Sequence, residues 1–409
     1  MRILFVSHYF PPEVNAPASR THEHCRRWVA EGHEVTVITG VPNHPAGVLF
    51  AGYRNRWIRE EEIDGIRVIR TWMFLAANAG FAKRILNYVL FAVTAVIASK
   101  RVRNPDLVLA TTPQFFCGLA GAVIARIKRL PFVLEVRDLW PKSIVELGQL
   151  QQGFALGSLE ALERWLYMSS AGIVVNTRAF IDHIADSGYP REKIELIYNG
   201  IDPRQFRPQP ASQKLRTEYA LEGRTAVAYI GTLGLAQGLE CVIETAEILQ
   251  SRRDIAFLII GDGAERAKLE AMIQERGITN VRLLGLQPRE LMPDWIASAD
   301  ILLVCLRDLP VFETVIPSKI FEFLAQERPV IVAARGEIRR MTEEAGAGWV
   351  IDPQDPQAMA DAVEAIAQQP EEARRRAAAG RRWVKDEFVR DTLALRMLDF
   401  MTKTVRSQP

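Results

Sequence analysis

Lys319 and Glu322 lie three residues apart in VFETVIPSKIFEFLA, a segment whose other residues are mostly apolar. On a helix, residues at this spacing are neighbours on one face. A lysine at a helix start, with Pro317 and Ser318 as expected first-turn and cap residues, favours an anion such as a diphosphate. A carboxylate one turn deeper could accept hydrogen bonds from the two hydroxyls of a ribose. The alternative is a surface ion pair on an amphipathic helix.

Glycines follow two apolar runs in the second half of the chain. AYIGTLGLAQGLECVIETAEIL contains Gly231, Gly234 and Gly238, and LIIGDGAERAKLEAM contains Gly261 and Gly263. Glycine allows the backbone to approach a ligand closely. The spacing differs from the G-x-G-x-x-G fingerprint, so it does not favour a dinucleotide cofactor. Each run alone is equally consistent with a tight turn.

Polar residues also follow predicted strands in the first half. In FVSHYFPPEVNAPASR, the side chains of His8, Asn15 and Arg20 are expected to face a substrate, ahead of a helix that starts near Thr21. In FVLEVRDLWPKS, the charged pair at positions 137 and 138 directly follows a buried strand, which is an active-site position. The alternative for this arginine and aspartate is a satisfied pair that holds a loop.

The elements that would position these residues follow an alternating pattern. Short apolar runs rich in β-branched residues alternate with helical patterns, which predicts parallel strands covered on both faces. The predicted strands are Ile3–Val6, Val35–Ile38, Arg67–Ile69, Leu107–Ala110, Phe132–Val136, Gly172–Val175, Glu195–Ile197, Ala226–Ile230, Ala256–Ile260, Val281–Leu284, Ile301–Val304, Val330–Ala333 and Trp349–Ile351.

The length of 409 residues predicts two domains. The segment Tyr198–Pro210 is dense in turn formers and is interpreted as a linker with little to bury. We therefore expect an N-terminal domain at 1–200 and a C-terminal domain at 201–385, with a terminal helix at 386–409 packing back on the first. Ligands of such sheets bind at the carboxyl ends of the strands, so a cleft between the domains is the expected site.

Composition excludes several classes of function. The formal charge of +2 gives no reason to expect a nucleic-acid partner. Four scattered cysteines have no metal-ligand spacing and predict a reducing compartment without disulfides. The initial apolar run is too short for a signal peptide and is interpreted as a strand, so we expect a cytoplasmic protein.

One segment, Lys83–Arg103, departs from the pattern of a soluble protein. Its apolar part, Ile85–Ala98, is bracketed by Lys and Arg and is shorter than the roughly 20 residues of a membrane-spanning helix. It is either a helix packed inside an α/β domain, or a helix that dips into one leaflet with its basic ends on anionic head groups. The second alternative predicts peripheral association with the inner membrane.

Eight segments together resemble the family 4 glycosyltransferases of the GT-B fold. They are HYFPPE, EGHEVTVITG, EVRDLWP, IYNGID, YIGTLGLAQGL, IIGDGAER, SADILLVCL and PSKIFEFLA with the later RPVI, and they follow the family order over nearly the whole chain. The resemblance implies two Rossmann-like βα domains facing across a cleft. It also implies a nucleoside-diphosphate sugar, often UDP-linked, as co-substrate, no other cofactor, and transfer with retention of configuration and without a metal.

The forms RDLWP and LAQGL are most similar to the branch that contains L-fucosamine transferases of bacterial surface-polysaccharide synthesis. This similarity implies an N-acetyl-L-fucosamine donor. It further implies a saccharide or polyprenyl-diphosphate-linked acceptor at the inner membrane, in the synthesis of O-antigen, capsule or exopolysaccharide.

The resemblance assigns roles by position. Glu322 matches the carboxylate that holds the donor ribose, while Lys319 and the backbone of Ile316–Ser318 fall in the donor-phosphate region. Leu284–Leu286 fall where the family's backbone meets the base. Asp138 falls near a strand-end position that faces the reacting sugar and is often histidine.

The paired-glutamate motif of the family is incomplete here. The family has a second glutamate eight residues before Glu322, but this chain has Thr314 there, with Glu313 beside it. The first loop also lacks the common glycine pair. The resemblance therefore leaves the donor-sugar contacts open.

The phosphate-binding arginine and lysine of the family's glycine-rich loop are replaced as well. Thr232 and Gln237 stand at these positions. The phosphate charge would then be met by Lys319, by Arg137 and by helix N-termini.

The expected chemistry follows from charge. Cleavage of the bond between the sugar and the diphosphate builds negative charge on the diphosphate, where fixed donors act. No Asp-x-Asp motif follows a predicted strand, so metal-free stabilisation is expected, and the acceptor proton would pass to the departing phosphate or to Asp138. Two alternatives stay open: a nucleotide-sugar epimerase of the same architecture, and a non-catalytic sugar-nucleotide binder.

Overall fold

The computed structural model describes residues 1–44, 47–75, 81–112, 114–142, 145 and 154–407. The chain divides into two compact units. Unit 1 comprises Met1–Asn199 and Arg390–Pro409, and unit 2 comprises Gly200–Val389.

Unit 1 is a twisted sheet with helices on its faces. Its strands are β1 (Arg2–Val6), β2 (Glu34–Gly40), β3 (Ile58–Ile63), β4 (Ile66–Thr71), β5 (Leu107–Thr111), β6 (Phe132–Val136), β7 (Gly172–Val175) and β8 (Ile194–Leu196). Its helices are α1 (Ala16–Ala30), α2 (Phe81–Ala98), α3 (Phe115–Lys128), α4 (Phe154–Met168), α5 (Arg178–Asp186) and, at the end of the chain, α14 (Arg390–Arg406). The strand order is β3-β4-β2-β1-β5-β6-β7-β8, and only the β3–β4 pair is antiparallel among the described strand pairs of this unit.

Unit 2 repeats the architecture with a six-stranded parallel sheet. Its strands are β9 (Thr225–Ile230), β10 (Ile255–Ile260), β11 (Val281–Gly285), β12 (Ile301–Cys305), β13 (Val330–Ala333) and β14 (Trp349–Ile351). Its helices are α6 (Gln213–Glu218), α7 (Glu240–Ile248), α8 (Arg266–Glu275), α9 (Met292–Ser298), α10 (Lys319–Ala325), α11 (Glu337–Ala345), α12 (Pro356–Gln368) and α13 (Pro370–Glu387). The order β11-β10-β9-β12-β13-β14 reverses beside β9, as in dinucleotide-binding folds.

The prediction of two Rossmann-like βα domains is confirmed. Each predicted strand is present within a few residues of its expected bounds. Strands β10, β12 and β13 are buried at every residue, which explains why they are apolar without alternation. The prediction missed β3, because IREEEI is an edge strand whose charged residues carry little apolar signal.

The expectation that Tyr198–Pro210 has little to bury is wrong. Tyr198, Ile201 and Phe206 are buried. Within unit 2, Ile201 forms an isolated parallel bridge with Val389, and its N–H donates to the carbonyl of Phe388 over 2.8 Å. The boundary between the units falls inside this segment, but apolar residues on both sides of it are anchored.

Helix α14 belongs to unit 1, where it packs on α1. The indole N–H of Trp28 donates to the carbonyl of Ala394 over 2.8 Å, and Arg390 forms an ion pair with Glu23. Helix α13 belongs to unit 2. The chain therefore returns to unit 1 only after α13.

Helix α2 buries one face and exposes another. Phe91, Ala95 and Ala98 lie in the core of unit 1, whereas the side chains of Leu86 and Val93 are about half exposed at 45% and 51%. Among the described residues, no helix is both long enough and apolar enough to span a bilayer.

Candidate active site

Lys319 lies at the start of α10, next to the carboxyl end of β9. Its Nζ is 3.8 Å from the centroid of the Tyr229 ring, a cation–π contact. Tyr229 is buried on β9, and its hydroxyl donates to the carbonyl of Thr232 over 2.7 Å. Burial lowers the pKa of Lys319 to about 8, against the opposing influence of Cys305 and Glu322. The ammonium group is therefore poorly solvated and would gain from an anionic partner.

Two glycines form the surface beside this lysine. Gly231 directly follows β9 with φ +147°, and a Cβ there would lie 2.5 Å from the Lys319 Nζ. Gly261 follows β10 with φ +144°, and a Cβ there would lie 1.8 Å from the carbonyl oxygen of Gly231. Only glycine fits at either position. The strand ends therefore present bare backbone next to a cation, which lets a phosphate approach closely.

The rest of the glycine-rich turn is held by its own contacts. The Oε1 of Gln237 accepts a hydrogen bond from the N–H of Gly234 over 3.1 Å. Thr232 contributes its carbonyl to Tyr229. Thr232 and Gln237, which were predicted to bind the donor, therefore both lie in this turn, and the side chain of Gln237 stabilises the turn through its hydrogen bond to Gly234.

The segment before α10 is compact. The hydroxyl of Thr314 donates to the carbonyl of Val311 over 2.7 Å, and the side chain of Glu313 is exposed. The backbone of Glu313 packs on Gly336, where a Cβ would lie 2.0 Å from the Glu313 carbonyl oxygen. Ile316 is buried.

The expectation that Ser318 caps α10 with its side chain is wrong. Ser318 occupies the N-cap position with helical backbone angles and makes no side-chain capping hydrogen bond. The turn is closed by backbone instead, since the Pro317 carbonyl accepts from the N–H of Ile320 over 3.1 Å. Glu322 lies on the first turn of α10 and is partly buried.

The base region assigned by resemblance contains an exposed apolar residue and a cation that the sequence reasoning missed. Leu286 directly follows β11 and is 74% exposed. Arg266 lies beside Gly285, the last residue of β11: a Cβ added to this glycine would be 3.0 Å from the Nη1 of Arg266. The same guanidinium donates to Glu270 over 2.8 Å. Arg266 was present in the segment IIGDGAER, but only the fold brings it to the end of β11.

In unit 1, two of the predicted acceptor-side residues have structural contacts. His8 is buried, and its ring centroid lies 4.6 Å from that of Phe91 and 4.7 Å from that of Tyr9. Burial, followed by the charge of His44, lowers the pKa of His8 to about 3, so this imidazole is neutral. Asn15 caps α1, accepting from the N–H of residue 18 over 2.9 Å, so this helix begins before its expected start near residue 21.

The third acceptor-side residue, Arg20, is buried in an ion pair. Its Nε donates to Oε1 of Glu135 over 2.9 Å, and its other nitrogens donate to the carbonyls of Tyr198 and Ile197. Burial opposes ionisation of Glu135, but the charges of Arg20 and Arg137 hold its pKa below the usual value. The pair fixes α1 to the centre of the sheet.

Arg137 and Asp138 follow β6. The backbone N–H of Arg137 donates to the hydroxyl of Thr112 over 2.8 Å, and its Nη2 donates to Oδ1 of Asn199 over 3.4 Å. Asp138 is partly buried and lines a small cavity with Trp140 and residues of α3 and α4. Both residues therefore lie at the carboxyl edge of the sheet of unit 1.

The described residues contain no group of three or more His, Cys, Asp or Glu side chains that could hold a metal ion. The four cysteines are buried free thiols.

Two family models match the chain, one on each side of the unit boundary. Residues 15–200 match the glycosyl transferase 4-like domain, and residues 212–383 match the glycosyl transferases group 1 domain. A similar curated protein is the "Putative colanic acid biosynthesis glycosyl transferase WcaI" of Escherichia coli (strain K12). It is 26% identical over 343 residues, which cover 82% of this chain and 83% of that protein.

Solved structures share the fold at low identity. Sucrose-phosphate synthase from Thermosynechococcus elongatus superimposes with a TM-score of 0.79 at 17% identity, and each chain is fully covered. Anabaena HepE, crystallised with UDP-glucose, superimposes with a TM-score of 0.71 at 16% identity over 98% of this chain and 100% of that one. These likenesses confirm the GT-B fold.

Proposed function

Because this chain joins a glycosyl transferase 4-like domain to a glycosyl transferases group 1 domain, we propose that it transfers a sugar from a UDP-linked donor to a saccharide or lipid-linked saccharide. The nucleotide sugar is the co-substrate, and transfer retains the anomeric configuration. The similarity of RDLWP and LAQGL to one branch favours N-acetyl-L-fucosamine as the sugar. The relative named for colanic acid biosynthesis favours a role in bacterial surface-polysaccharide synthesis.

The observation that carries the proposal is the position of Lys319 in unit 2. Its Nζ lies against Tyr229, beside the backbone of Gly231 at the carboxyl end of β9. A diphosphate placed there would meet a cation and bare backbone together. HepE, a protein of the same fold, was crystallised with UDP and with UDP-glucose, which supports UDP as the nucleotide.

Lys319 would act where negative charge develops. As the bond to the sugar breaks, charge accumulates on the leaving diphosphate, and a preorganised ammonium group stabilises that state more than the ground state. Its Nζ packs against the Tyr229 ring, which keeps water from one side of the ammonium group and agrees with its lowered pKa, so little solvent must rearrange during the reaction. We assign the stabilisation to this lysine and not to a metal, because the sequence contains no Asp-x-Asp motif.

Asp138 is the candidate acceptor of the proton from the attacking hydroxyl, with the departing phosphate as the second candidate. It lies at the carboxyl edge of unit 1, next to Trp140 in a small cavity. Glu322 would bind the donor ribose in unit 2. These roles rest on the family positions and on the side of each sheet on which the residues lie.

We also propose that α2 and α3 form a surface that binds an anionic membrane. Leu86, Val93 and Ile97 of α2 and Ile127 of α3 are exposed, and these helices pack on each other. Exposed basic residues lie near both ends of α2: Lys83 in its first turn, and Lys100 and Arg101 just after it. Apolar residues with a basic border suit a helix lying in the head-group layer.

The membrane proposal is tested by vesicle sedimentation. Phe91 is fully buried against the His8 ring, so a change there would disturb the core. The triple variant Leu86→Ser, Val93→Ser and Ile97→Ser changes exposed residues only. It is therefore expected to stay in the supernatant when phosphatidylglycerol vesicles are sedimented, and to unfold at the same temperature as the wild type. Unchanged sedimentation with these vesicles would contradict the proposal.

Transfer is tested with a panel of UDP-, GDP- and dTDP-sugars and a membrane lipid extract. We expect a glycosylated lipid from a UDP-sugar only when the extract is present. An epimerase would convert the UDP-sugar without acceptor. A non-catalytic binder would bind UDP-sugar without turnover, and Asp138→Asn would then change nothing, whereas a transferase that uses this carboxylate would lose most of its rate.

A further inference from the structure

The carboxyl ends of β6, β7 and β8 bring together polar side chains that the proposed mechanism does not use. In the β6–β7 register, Val136 pairs with Val175, so Arg137 and Asn176 follow side by side. Strand β7 lies between β6 and β8, and Asn199 follows β8. The hydrogen bond from Arg137 to Asn199 therefore crosses the end of β7.

Several polar atoms in this group are buried without a hydrogen-bond partner. They are Nε and Nη1 of Arg137, Oδ1 of Asn176 and Oγ1 of Thr177. Asn176 and Thr177 are 8% and 0% exposed, and Thr177 occupies the N-cap position of α5 without making a side-chain capping bond. Buried polar groups are normally paired, so a cluster of unpaired ones is suited to receive a polar ligand.

The charge balance of unit 1 indicates an anion. Three arginines lie near one another here, and two have carboxylate partners: Arg20 pairs with Glu135, and Arg390 pairs with Glu23. The third, Arg137, donates a side-chain hydrogen bond to a neutral amide, that of Asn199. A guanidinium N–H makes a strong charge-assisted hydrogen bond to a phosphate oxygen, and Nε and Nη1 can each donate one.

The pKa values of neighbouring groups agree with this excess of positive charge. Burial, together with the charges of these three arginines, lowers the pKa of His24 well below its usual value. Burial is also the main cause that lowers the pKa of Arg137 to about 10, with the other two arginines adding to it. The Glu135 carboxylate acts in the opposite direction and raises the pKa of Arg137, but Glu135 is already paired with Arg20. Arg137 is therefore charged at neutral pH and shares its counter-charge with a second arginine.

We propose that Arg137 and Thr177 form an anion subsite of unit 1 that binds a phosphoryl group of the acceptor, while Oδ1 of Asn176 accepts a hydrogen bond from a hydroxyl of the same ligand. The acceptor would then be a phosphate- or diphosphate-linked saccharide. That the bound phosphoryl group belongs to the acceptor rests on the proposed function, but the subsite itself does not. Lys319 of unit 2 supplies a separate cation for the donor diphosphate, so the two anions have different partners.

The experiment is calorimetric titration of the full-length protein with inorganic pyrophosphate, with UDP at saturation. Pyrophosphate is expected to bind one site, and Arg137→Gln is expected to weaken that binding at least about tenfold, as for a lost charged hydrogen bond. The Kd of UDP should change less than about twofold. Arg191→Gln is the control, since this exposed arginine pairs with Asp182 on the same unit and should leave both affinities unchanged.

Two further variants guard against a folding artefact. Thr177→Val removes only the buried hydroxyl and is expected to weaken pyrophosphate binding about threefold to tenfold at an unchanged unfolding temperature. Arg137→Lys keeps the charge and is expected to recover part of the affinity, because a lysine makes a single contact.

Two results would overturn the subsite. One is an equal loss of UDP and pyrophosphate affinity in Arg137→Gln, which would place the donor diphosphate on Arg137. The other is no pyrophosphate binding beside UDP. If the protein fails to bind UDP or to transfer sugar, the proposed function fails, while Arg137-dependent pyrophosphate binding measured without UDP would still support the subsite.

Discussion

The carboxyl edges of the two sheets are built differently. In unit 2, β9 and β10 end in Gly231 and Gly261, whose backbones pack directly on each other beside one poorly solvated lysine. In unit 1, the corresponding edge is filled by side chains, with the buried Arg20–Glu135 pair at its centre.

The difference indicates a division of labour. A backbone-lined edge admits any diphosphate closely and leaves recognition to few side chains, which suits a nucleotide shared by many enzymes. A side-chain-lined edge can be changed residue by residue, which suits an acceptor that differs from enzyme to enzyme. Four predictions test whether the two edges differ in this way.

The largest expected effect is on unit 2, from Lys319→Met. Loss of the unit 2 charge that we assign to the diphosphate should lower kcat/KM for a UDP-sugar about thousandfold, which corresponds to about 4 kcal/mol. Steady-state kinetics measures the loss. Lys214→Met, an exposed lysine of the same unit, is the control and should be within about twofold of the wild type. Equal kcat/KM values for Lys319→Met and Lys214→Met would show that Lys319 does not stabilise the leaving diphosphate.

The next effect falls on unit 1 and on stability. Glu135→Gln leaves Arg20 as a buried charge without its carboxylate, and urea unfolding should show a loss of about 3 kcal/mol. We do not expect a larger loss of stability, because Arg20 still donates hydrogen bonds to the carbonyls of Tyr198 and Ile197 in this variant. Glu195→Gln breaks an exposed pair with an arginine of α14 and should cost less than about 1 kcal/mol. Similar losses in the free energy of unfolding for Glu135→Gln and Glu195→Gln would mean that the buried Arg20–Glu135 pair does not stabilise this edge of the sheet.

A smaller loss of stability is expected from Gly261→Ala in unit 2. The new Cβ would lie 1.8 Å from the Gly231 carbonyl oxygen, so the two strand ends must separate, at about 2 kcal/mol. UDP affinity should fall with it, which calorimetry would show. Gly277→Ala also has positive φ but no atom within 4 Å, and it should cost about 1 kcal/mol and leave UDP affinity intact. Unchanged UDP affinity in Gly261→Ala would mean that the nucleotide does not bind at the ends of β9 and β10.

The smallest effect is a pH dependence confined to unit 2. UDP should bind the charged form of Lys319, whose pKa is about 8, so affinity should fall about tenfold as the pH rises from 7 to 9. Over this range the folded chain binds fewer protons at the lysine than the unfolded chain, so stability is not lowered there. Lys319→Arg should abolish the dependence, and titrations at several pH values would show it. A flat profile in the wild type would mean that this amine does not meet the diphosphate.

The sequence predicted every described strand of both sheets except the edge strand β3, because buried parallel strands carry a continuous apolar signal. It also placed Lys319 on a helix start and Gly231 and Gly261 after strands. It did not indicate that Lys319 packs on Tyr229, a contact between residues far apart in the chain. Local spacing carries information about neighbours along a helix or strand but little about contacts made by tertiary packing.

Unit 1 was harder to predict for the same reason. Arg20 and Glu135 are 115 residues apart, and nothing near either residue indicates the other. The expectation that Arg20 contacts a substrate overlooked that Arg20 lies on the buried face of α1, where a charge must be paired. The unpaired atoms of Asn176 and Thr177 lie in a segment, VVNTRAF, that contains no recognisable motif.

The most direct test of the central claim is a crystal structure of the full-length protein with UDP. We predict that the diphosphate lies at the ends of β9 and β10, within about 3 Å of the Lys319 Nζ, with the backbone of Gly231 beside it. UDP bound away from Gly231, with Lys319 still packed on Tyr229 alone, would contradict the account.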